Sequence, residues 1–167
     1  MIIKVGPVGR RIGNAWDEKG QNKIVQIFIC HGEGIKSIQF QYADENGKLV
    51  VSDVHGKYNG RNFDVVKLGY PTEHITWVKG RIGGYLHILC SITFGTNRGE
   101  YGPFGMSNNY ATEEFAFRLG DDRQFCGFHG TANESGVESI GVYLEPIATS
   151  NNFMNRKAVK LEKNVAS

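Results

Sequence analysis

One short phrase, a serine and an isoleucine that begin an alternating apolar stretch, occurs three times at wide spacing. The copies are Ser37-Ile38-Gln39-Phe40, Ser91-Ile92-Thr93-Phe94 and Ser139-Ile140-Gly141-Val142. Each copy follows a glycine-bearing turn. Because self-similarity at wide spacing constrains the architecture of a whole chain, this pattern predicts one β domain built from three similar hairpin-like units around a shared core.

Local periodicity favours strands along most of the chain. Ile38, Phe40 and Tyr42 occupy every second position, which is the period of a strand with one buried face. The same criteria predict further strands at residues 23–30, 48–54, 63–68, 74–78, 86–96, 114–119, 124–128 and 137–144. The chain has 22 glycines in 167 residues, and many of them fall between these segments as turns. The predicted fold class is therefore all-β.

The charge balance and the hydropathy pattern bear on nucleic-acid partners, membrane partners and cellular location. Lys and Arg number 19 against 17 Asp and Glu, a formal net charge of +2. Such a balance gives no reason to expect nucleic acid as the main partner. No run approaches the ~18 apolar residues of a membrane span, and the first six residues do not resemble a signal peptide. We predict a cytoplasmic or nucleocytoplasmic protein without direct nucleic-acid or membrane partners.

The cysteines raise the alternative of a metal site or a thiol enzyme. Cys30, Cys90 and Cys126 each lie in an apolar run, which predicts buried, reduced thiols rather than a disulfide framework. Strand alternation places Cys30 and His31 on opposite faces. Cys126 and His129 lack the further ligands of a structural zinc site. We predict no metal and no cofactor, and a hydrolase using Cys126 and His129 is kept only as a hypothesis to be tested.

Five phrases, in their order and spacing, resemble the jacalin-related plant lectins over residues 3–146. They are Lys4-Val5-Gly6-Pro7-Val8-Gly9, Trp16-Asp17, Glu100-Tyr101-Gly102-Pro103-Phe104-Gly105, Gly127-Phe128-His129-Gly130 and Ser139-Ile140-Gly141-Val142-Tyr143-Leu144-Glu145-Pro146. The chain looks like the mannose-type, nucleocytoplasmic branch. It is also similar to single-domain plant members that restrict RNA viruses, through Thr131 and the pair Ser135-Gly136 after the fourth phrase.

The resemblance implies a fold and a domain organisation. It implies a β-prism of three four-stranded antiparallel Greek-key sheets with pseudo-threefold symmetry, and no catalytic activity. The predicted lectin domain covers residues 1–148. Residues 149–167 form a predicted C-terminal tail, disordered or a short amphipathic helix. A homodimer is expected because the family often pairs its prisms and bivalency raises avidity.

The resemblance also implies the position of a carbohydrate site. In this family a monosaccharide is held by a first-loop glycine and by a Gly-x-x-x-Asp segment before the last strand. Mapped onto this chain, the glycine is Gly13, the backbone donors are Ser135 and Gly136, and the carboxylate is Glu138. The chemistry suits a sugar, since adjacent hydroxyls need a fixed acceptor pair with donors nearby, and glycine permits close approach.

The chain departs from that pattern at two defining residues. Glu134 stands at the glycine position, and Glu138 carries its carboxylate one methylene further out than aspartate. A buried hydroxyl left unpaired costs about 1–3 kcal/mol, so a displaced acceptor pair weakens sugar binding. In the first loop, Arg10 and Arg11 replace small residues, which favours an anionic ligand or a protein surface, unless both are solvated loop charges.

Two functions therefore stay open at this stage. The first is a non-catalytic lectin of plant defence, acting against RNA viruses, that binds a mannose-type glycan or small saccharide. The second is a protein-interaction module with a degenerate sugar site that binds a viral or host protein.

Overall fold

The computed structural model describes residues 2–19, 23–106, 111–120 and 122–146. The strands that these residues form are β1 (Ile3–Gly9), β2 (Asn14–Glu18), β3 (Lys23–Gly32), β4 (Gly34–Ala43), β5 (Leu49–Val51), β6 (His55–Gly56), β7 (Asn62–Lys67), β8 (Ile75–Ile82), β9 (Ser91–Thr96), β10 (Glu100–Gly105), β11 (Glu113–Phe117), β12 (Arg123–Asn133) and β13 (Gly136–Pro146). The described residues contain no helix, so the predicted all-β class is confirmed.

The strands form three antiparallel sheets with equivalent internal order. Sheet one runs β1-β13-β12-β2, sheet two runs β10-β9-β8-β11, and sheet three runs β5-β4-β3-β7 with β6 also paired to β4. The three repeated phrases lie in β13, β9 and β4, which occupy the second position of their sheets. The predicted threefold repetition is therefore confirmed strand by strand.

A glycine on the neighbouring outer strand accompanies each repeated phrase. In every sheet it pairs with the phrase's serine and has a φ near +90 to +105°, which non-glycine residues rarely adopt. A Cβ there would also overlap the backbone carbonyl oxygen of the residue that precedes the paired serine. The three pairs are Gly9 with Ser139, Gly105 with Ser91 and Gly56 with Ser37, with glycine φ values of 105°, 87° and 104°. The repetition thus extends beyond the phrase to its edge partner.

The core lies where the inner faces of the three sheets meet. Phe40 of sheet three, Phe94 of sheet two and Phe128 of sheet one are all fully buried. The Phe128 ring stacks on Phe40 at 4.9 Å between centroids and meets Phe94 edge-on at 6.0 Å. These offset-stacked and edge-to-face arrangements are the favoured geometries of aromatic pairs. One phenylalanine from each sheet therefore packs at the centre of the hydrophobic core.

Two predicted strands differ from the structure. The strand predicted at 86–96 begins only at Ser91, because Leu89 exchanges backbone hydrogen bonds with Val137 and Ile35 on other sheets. Of the strand predicted at 48–54, only residues 49–51 form a strand, β5, and the separate short strand β6 follows at His55–Gly56. Between them the Ser52 hydroxyl accepts the Phe40 N–H at 3.0 Å in place of a backbone carbonyl. Sheet three consequently has five strands rather than the predicted four.

The prediction of a domain ending at 148 and a tail at 149–167 lies largely outside the described residues, whose last strand ends at Pro146. It stays a prediction. In the part of the chain that is described, no helix is long and apolar enough to cross a membrane.

Candidate functional site

Three connections meet at one end of the domain, which we call the hairpin end. They are the β3–β4 turn, the β8–β9 loop (residues 83–90) and the β12–β13 turn. Ile35 N–H donates to the Leu89 carbonyl, and Leu89 N–H donates to the Val137 carbonyl, each at 2.8 Å. The Asn133 side-chain amide donates to the His87 carbonyl at 3.1 Å. These bonds hold the loops of all three sheets in fixed relation to one another.

The first loop, residues 10–13, lies against the β12–β13 hairpin through Glu138. Gly13 N–H donates to Glu138 Oε2 at 2.7 Å, and Ile12 N–H donates to Oε1 at 3.1 Å. A Cβ at Gly13 would overlap the Ala132 carbonyl oxygen and lie 2.8 Å from Glu138 Oε2. Only glycine allows this approach. The structure thus brings together two predicted site residues, Gly13 and Glu138, that are 125 positions apart in the chain.

A second row of hydroxyls supports the same carboxylate. The Thr131 hydroxyl donates to Glu138 Oε2 at 2.8 Å. Its oxygen lies 2.6 Å from Ser139 Oγ, and because the Thr131 proton is directed to the carboxylate, Ser139 supplies the proton of that second bond. Glu138 is only 3% exposed. Protein donors therefore reach both oxygens of the carboxylate, one at Oε1 and two at Oε2.

These contacts set the ionisation of Glu138. Burial raises its pKa, but the hydrogen bonds from Gly13, Thr131 and Ile12 and the nearby Arg10 charge outweigh burial, so the net pKa is below its usual value. Hydrogen bonds from N–H and O–H donors favour the charged form of a carboxyl group. Glu138 is accordingly ionised at neutral pH, in a site where a buried charge acts strongly on any bound polar group.

The depressed pKa makes a stability prediction. A carboxyl group with a lowered folded-state pKa contributes stability above its unfolded pKa and loses it as pH falls through the folded value. We expect the free energy of unfolding to decline below about pH 4.5 in the wild type and to decline less steeply in Glu138→Gln. At pH 7 the same substitution should cost about 1–3 kcal/mol, because an amide cannot accept on both sides.

Urea unfolding from pH 3 to pH 7 measures this difference. Glu134→Gln is the matched control, since Glu134 lies in the same hairpin but is exposed. Identical pH slopes for the wild type and Glu138→Gln would contradict the assigned role of Glu138.

The two predicted backbone donors of the hairpin are also engaged within the protein. Ser135 N–H and Gly136 N–H both donate to Asn133 Oδ1, at 2.8 and 3.2 Å. This is a turn in which an asparagine side chain accepts from the backbone that follows it. Ser135 and Gly136 therefore lie beside the site, but their N–H groups are directed back into the hairpin.

A cavity of about 260 Å³ includes Glu138 in its lining. Its walls come from the first loop at Arg10, from the β8–β9 loop at Gly83 and His87, and from Glu113 at the start of β11. His87 has a φ of +56°, a backbone conformation that costs free energy in a non-glycine residue and occurs often at functional sites. The cavity thus combines an ionised acceptor, a cation and an imidazole.

The thiol-enzyme alternative has little support from the geometry. Burial raises the pKa of the Cys126 thiol to about 12, so the nucleophilic thiolate is disfavoured. Burial also lowers the pKa of His129, whose Nε2 lies 2.9 Å from the Val5 carbonyl and whose ring packs on Tyr143. His129 Nε2 is thus committed to the backbone rather than placed to activate a thiol. The described residues also hold no group of three or more side chains that could bind a metal.

Comparison with known proteins agrees with the resemblance found in the sequence. The profile of the Jacalin-like lectin domain matches residues 5–143. The chain belongs to the jacalin-like lectin domain family. This assignment and the β-prism architecture inferred from it are both confirmed.

Curated relatives cover nearly the whole domain. Protein RESTRICTED TEV MOVEMENT 1 of Arabidopsis thaliana is 46% identical over 155 residues, covering 86% of this chain and 87% of that protein. Jacalin-related lectin 2 of Arabidopsis thaliana is 41% identical over 160 residues, with 86% of each chain covered. Both matches therefore extend over most of each protein.

Solved structures share the fold and are described as mannose-binding. A mannose-binding jacalin-related lectin from Ananas comosus is 26% identical, with a TM-score of 0.76, and covers 87% of this chain and 98% of its own. Artocarpin, solved as a mannotriose complex, is 27% identical with the same TM-score of 0.76, and covers 86% of this chain and 97% of its own.

The sequence predicted two residues that the structure brings together, but not the groups that surround them. It named Gly13 and Glu138, which the jacalin-like lectin domain brings into contact. It did not assign Thr131, Asn133 or His87 to the site. Asn133 could have been found, because Asn followed by two polar or small residues is a turn signal. Nothing in the local sequence signals either of the other two, because His87 meets Asn133 of another sheet and Thr131 reaches Glu138 through strand pairing within sheet one.

Proposed function

We propose that this protein is a non-catalytic recognition module that binds a mannose-type saccharide at the hairpin end and acts in plant defence against viruses. One observation carries the proposal, namely the ionised carboxylate of Glu138 beside Gly13 at the wall of the 260 Å³ cavity. A carboxylate accepts hydrogen bonds from sugar hydroxyls on both oxygens. The family supports carbohydrate binding, and the name of the Arabidopsis relative supports the role in virus restriction.

Binding of this kind requires exchange of hydrogen-bond partners. A sugar hydroxyl that reaches Glu138 must share or displace the Gly13 and Ile12 donors that now occupy it. Exchange of one hydrogen bond for another returns only about 0.5–1.5 kcal/mol. We therefore expect weak, saturable binding of methyl α-mannoside, with a Kd on the order of millimolar.

Titration calorimetry with methyl α-mannoside tests the proposal. Glu138→Ala should weaken binding at least about tenfold, the equivalent of losing one charge-assisted hydrogen bond. Glu134→Gln should leave binding unchanged, since Glu134 is exposed and does not line the cavity beside Glu138. Saturable binding that is unaffected in Glu138→Ala would place the ligand elsewhere and reject this site.

A second candidate function rests on a different observation. The N–H groups of Gly13, Ser135 and Gly136, which sequence analysis assigns to a sugar, all donate within the protein. A hairpin end whose N–H groups are already hydrogen-bonded within the protein forms a rigid surface, which suits the binding of a viral or host protein. If Glu138→Ala abolishes mannoside binding but leaves virus restriction in infected leaves intact, this second function replaces the first.

We also propose a cytoplasmic or nucleocytoplasmic location and a homodimer. The location is supported by Cys30, Cys90 and Cys126, which are free and buried and suit a reducing compartment. The dimer is supported by the gain in avidity that two weak sites provide. Light scattering at micromolar concentration distinguishes the dimer from a monomer of 18.6 kDa.

A further inference from the structure

The outer face of sheet two carries an open groove that the proposed sugar site does not use. It has a volume of about 490 Å³, and its lining includes Lys79, Arg81, Ser91, Thr93, Glu100 and Glu114. Val78, Ile92 and Phe94 of the same sheet are fully buried in the core. Since side chains alternate between faces, Lys79 and Arg81 on β8 and Ser91 and Thr93 on β9 face outward together.

Register places the polar groups of this face in rows. Arg81 pairs with Glu114 on one side and Ser91 on the other, and Lys79 pairs with Ala116 and Thr93. Directly paired side chains lie about 5 Å apart, and outward positions along one strand repeat about every 6.6 Å. Each row therefore places one cation beside one hydroxyl at the floor of the groove, where Ser91 and Thr93 are only 4% and 5% exposed.

One donor of Arg81 lacks an acceptor in the described part of the chain. Arg81 Nε is buried and has no hydrogen-bond partner among the residues that the structure describes. One Nη makes a single contact with the Ala111 carbonyl, at 3.4 Å. A buried donor left unpaired is costly, and a guanidinium is suited to a planar or tetrahedral oxyanion. This arrangement favours occupation by an anionic group.

The Trp77 ring restrains two cationic side chains, Lys79 and Arg118. The ring lies on Gly95, where a Cβ would overlap the indole. Lys79 Nζ is 5.2 Å and the Arg118 guanidinium carbon is 4.9 Å from the Trp77 ring centroid. Such cation–π contacts restrain long side chains. In the described part of the chain, no carboxylate lies within 4.0 Å of these cations as an ion pair.

We propose that the outer face of sheet two binds an acidic oligosaccharide, with its anionic groups on Lys79 and Arg81. Glu100 and Glu114, with Ser91 and Thr93, supply partners for the neutral hydroxyls of the same chain. The mixture of three cations with two carboxylates suits a ligand with one negative charge per sugar. A polyphosphate would be repelled by both carboxylates and would need a more positive surface.

Tetragalacturonate, which has one carboxylate per sugar, is the probe, and its methyl ester is the uncharged control. Tryptophan fluorescence follows binding through Trp77. We expect saturable binding of the acid that weakens with added salt, and at least about tenfold weaker binding of the ester.

Lys79→Gln/Arg81→Gln should raise the Kd for the acid at least about tenfold. Lys67→Gln, which removes an exposed charge from sheet three, should leave it unchanged.

The two sites are distinguished by their variants. Glu138→Ala should not alter tetragalacturonate binding, and Lys79→Gln/Arg81→Gln should not alter mannoside binding, which also shows that the double variant is folded. The proposal is overturned if the acid shows no saturable binding, if its ester binds equally, or if the double variant binds as the wild type does. Tighter binding of a single-stranded RNA than of tetragalacturonate would also overturn it, in favour of a nucleic-acid surface.

Discussion

Glu138→Asp is expected to bind methyl α-mannoside at least about tenfold more tightly than the wild type. The Glu138 carboxylate now accepts Gly13 N–H at 2.7 Å and Ile12 N–H at 3.1 Å. Removing one methylene retracts the carboxylate by about 1.5 Å. The Gly13 and Ile12 donors are then free for sugar hydroxyls, and the aspartate still accepts from the ligand. Binding no longer requires these internal bonds to be broken.

Calorimetry of Glu138→Asp beside Glu134→Asp compares a buried residue of β13 with an exposed residue of the turn that precedes it. The gain should be confined to Glu138→Asp, and should come with a loss of about 1–3 kcal/mol in the free energy of unfolding, because internal partners are removed. Unchanged or weaker mannoside binding in a folded Glu138→Asp would contradict the view that the extra methylene limits affinity.

Phe128→Ala should lower the free energy of unfolding by about 3–5 kcal/mol, the usual cost of truncating a buried aromatic residue. Phe128 is fully buried and contacts an aromatic ring from each of the other two sheets. Its removal leaves a cavity where the sheets meet, and the rigid strands around it can collapse only in part. A domain of this size has a total stability of about 5–15 kcal/mol, so the variant should be marginally folded.

Thermal and urea unfolding check this effect, with Phe63→Ala as the control. Phe63 is 49% exposed on the outer side of sheet three, so its truncation should cost far less. If Phe128→Ala and Phe63→Ala had similar effects, the three sheets would not share a single core around Phe128.

Much of the fold could be predicted because each repeated phrase specifies the same environment three times. Ile38, Ile92 and Ile140 are all fully buried, as the alternating pattern predicts. The edge strands β1 and β10 escaped prediction because Pro7 and Pro103 argue against a strand. Both strands lie at the edge of a sheet, where proline is tolerated. Residues 86–90 were mispredicted because their hydrogen bonds go to other sheets, which no local pattern reveals.

The candidate site could be located from the sequence, but its hydrogen bonding could not. The resemblance placed Gly13 and Glu138 together because backbone positions follow from the fold. Whether the Glu138 carboxylate faces a ligand or the Gly13 and Ile12 donors depends on one methylene and on the path of the first loop. Motif spacing does not encode that difference. The same applies to Asn133, whose side chain takes the two N–H groups assigned to a sugar.

Two-dimensional NMR spectra of the backbone amides, recorded while the protein is titrated with methyl α-mannoside, test sugar recognition at the hairpin end most directly. We expect saturable shifts at the amides of Ile12, Gly13 and Glu138, with little change on the outer face of sheet two. Saturable shifts confined to other parts of the domain, or no shift at tens of millimolar sugar, would contradict sugar recognition at the hairpin end.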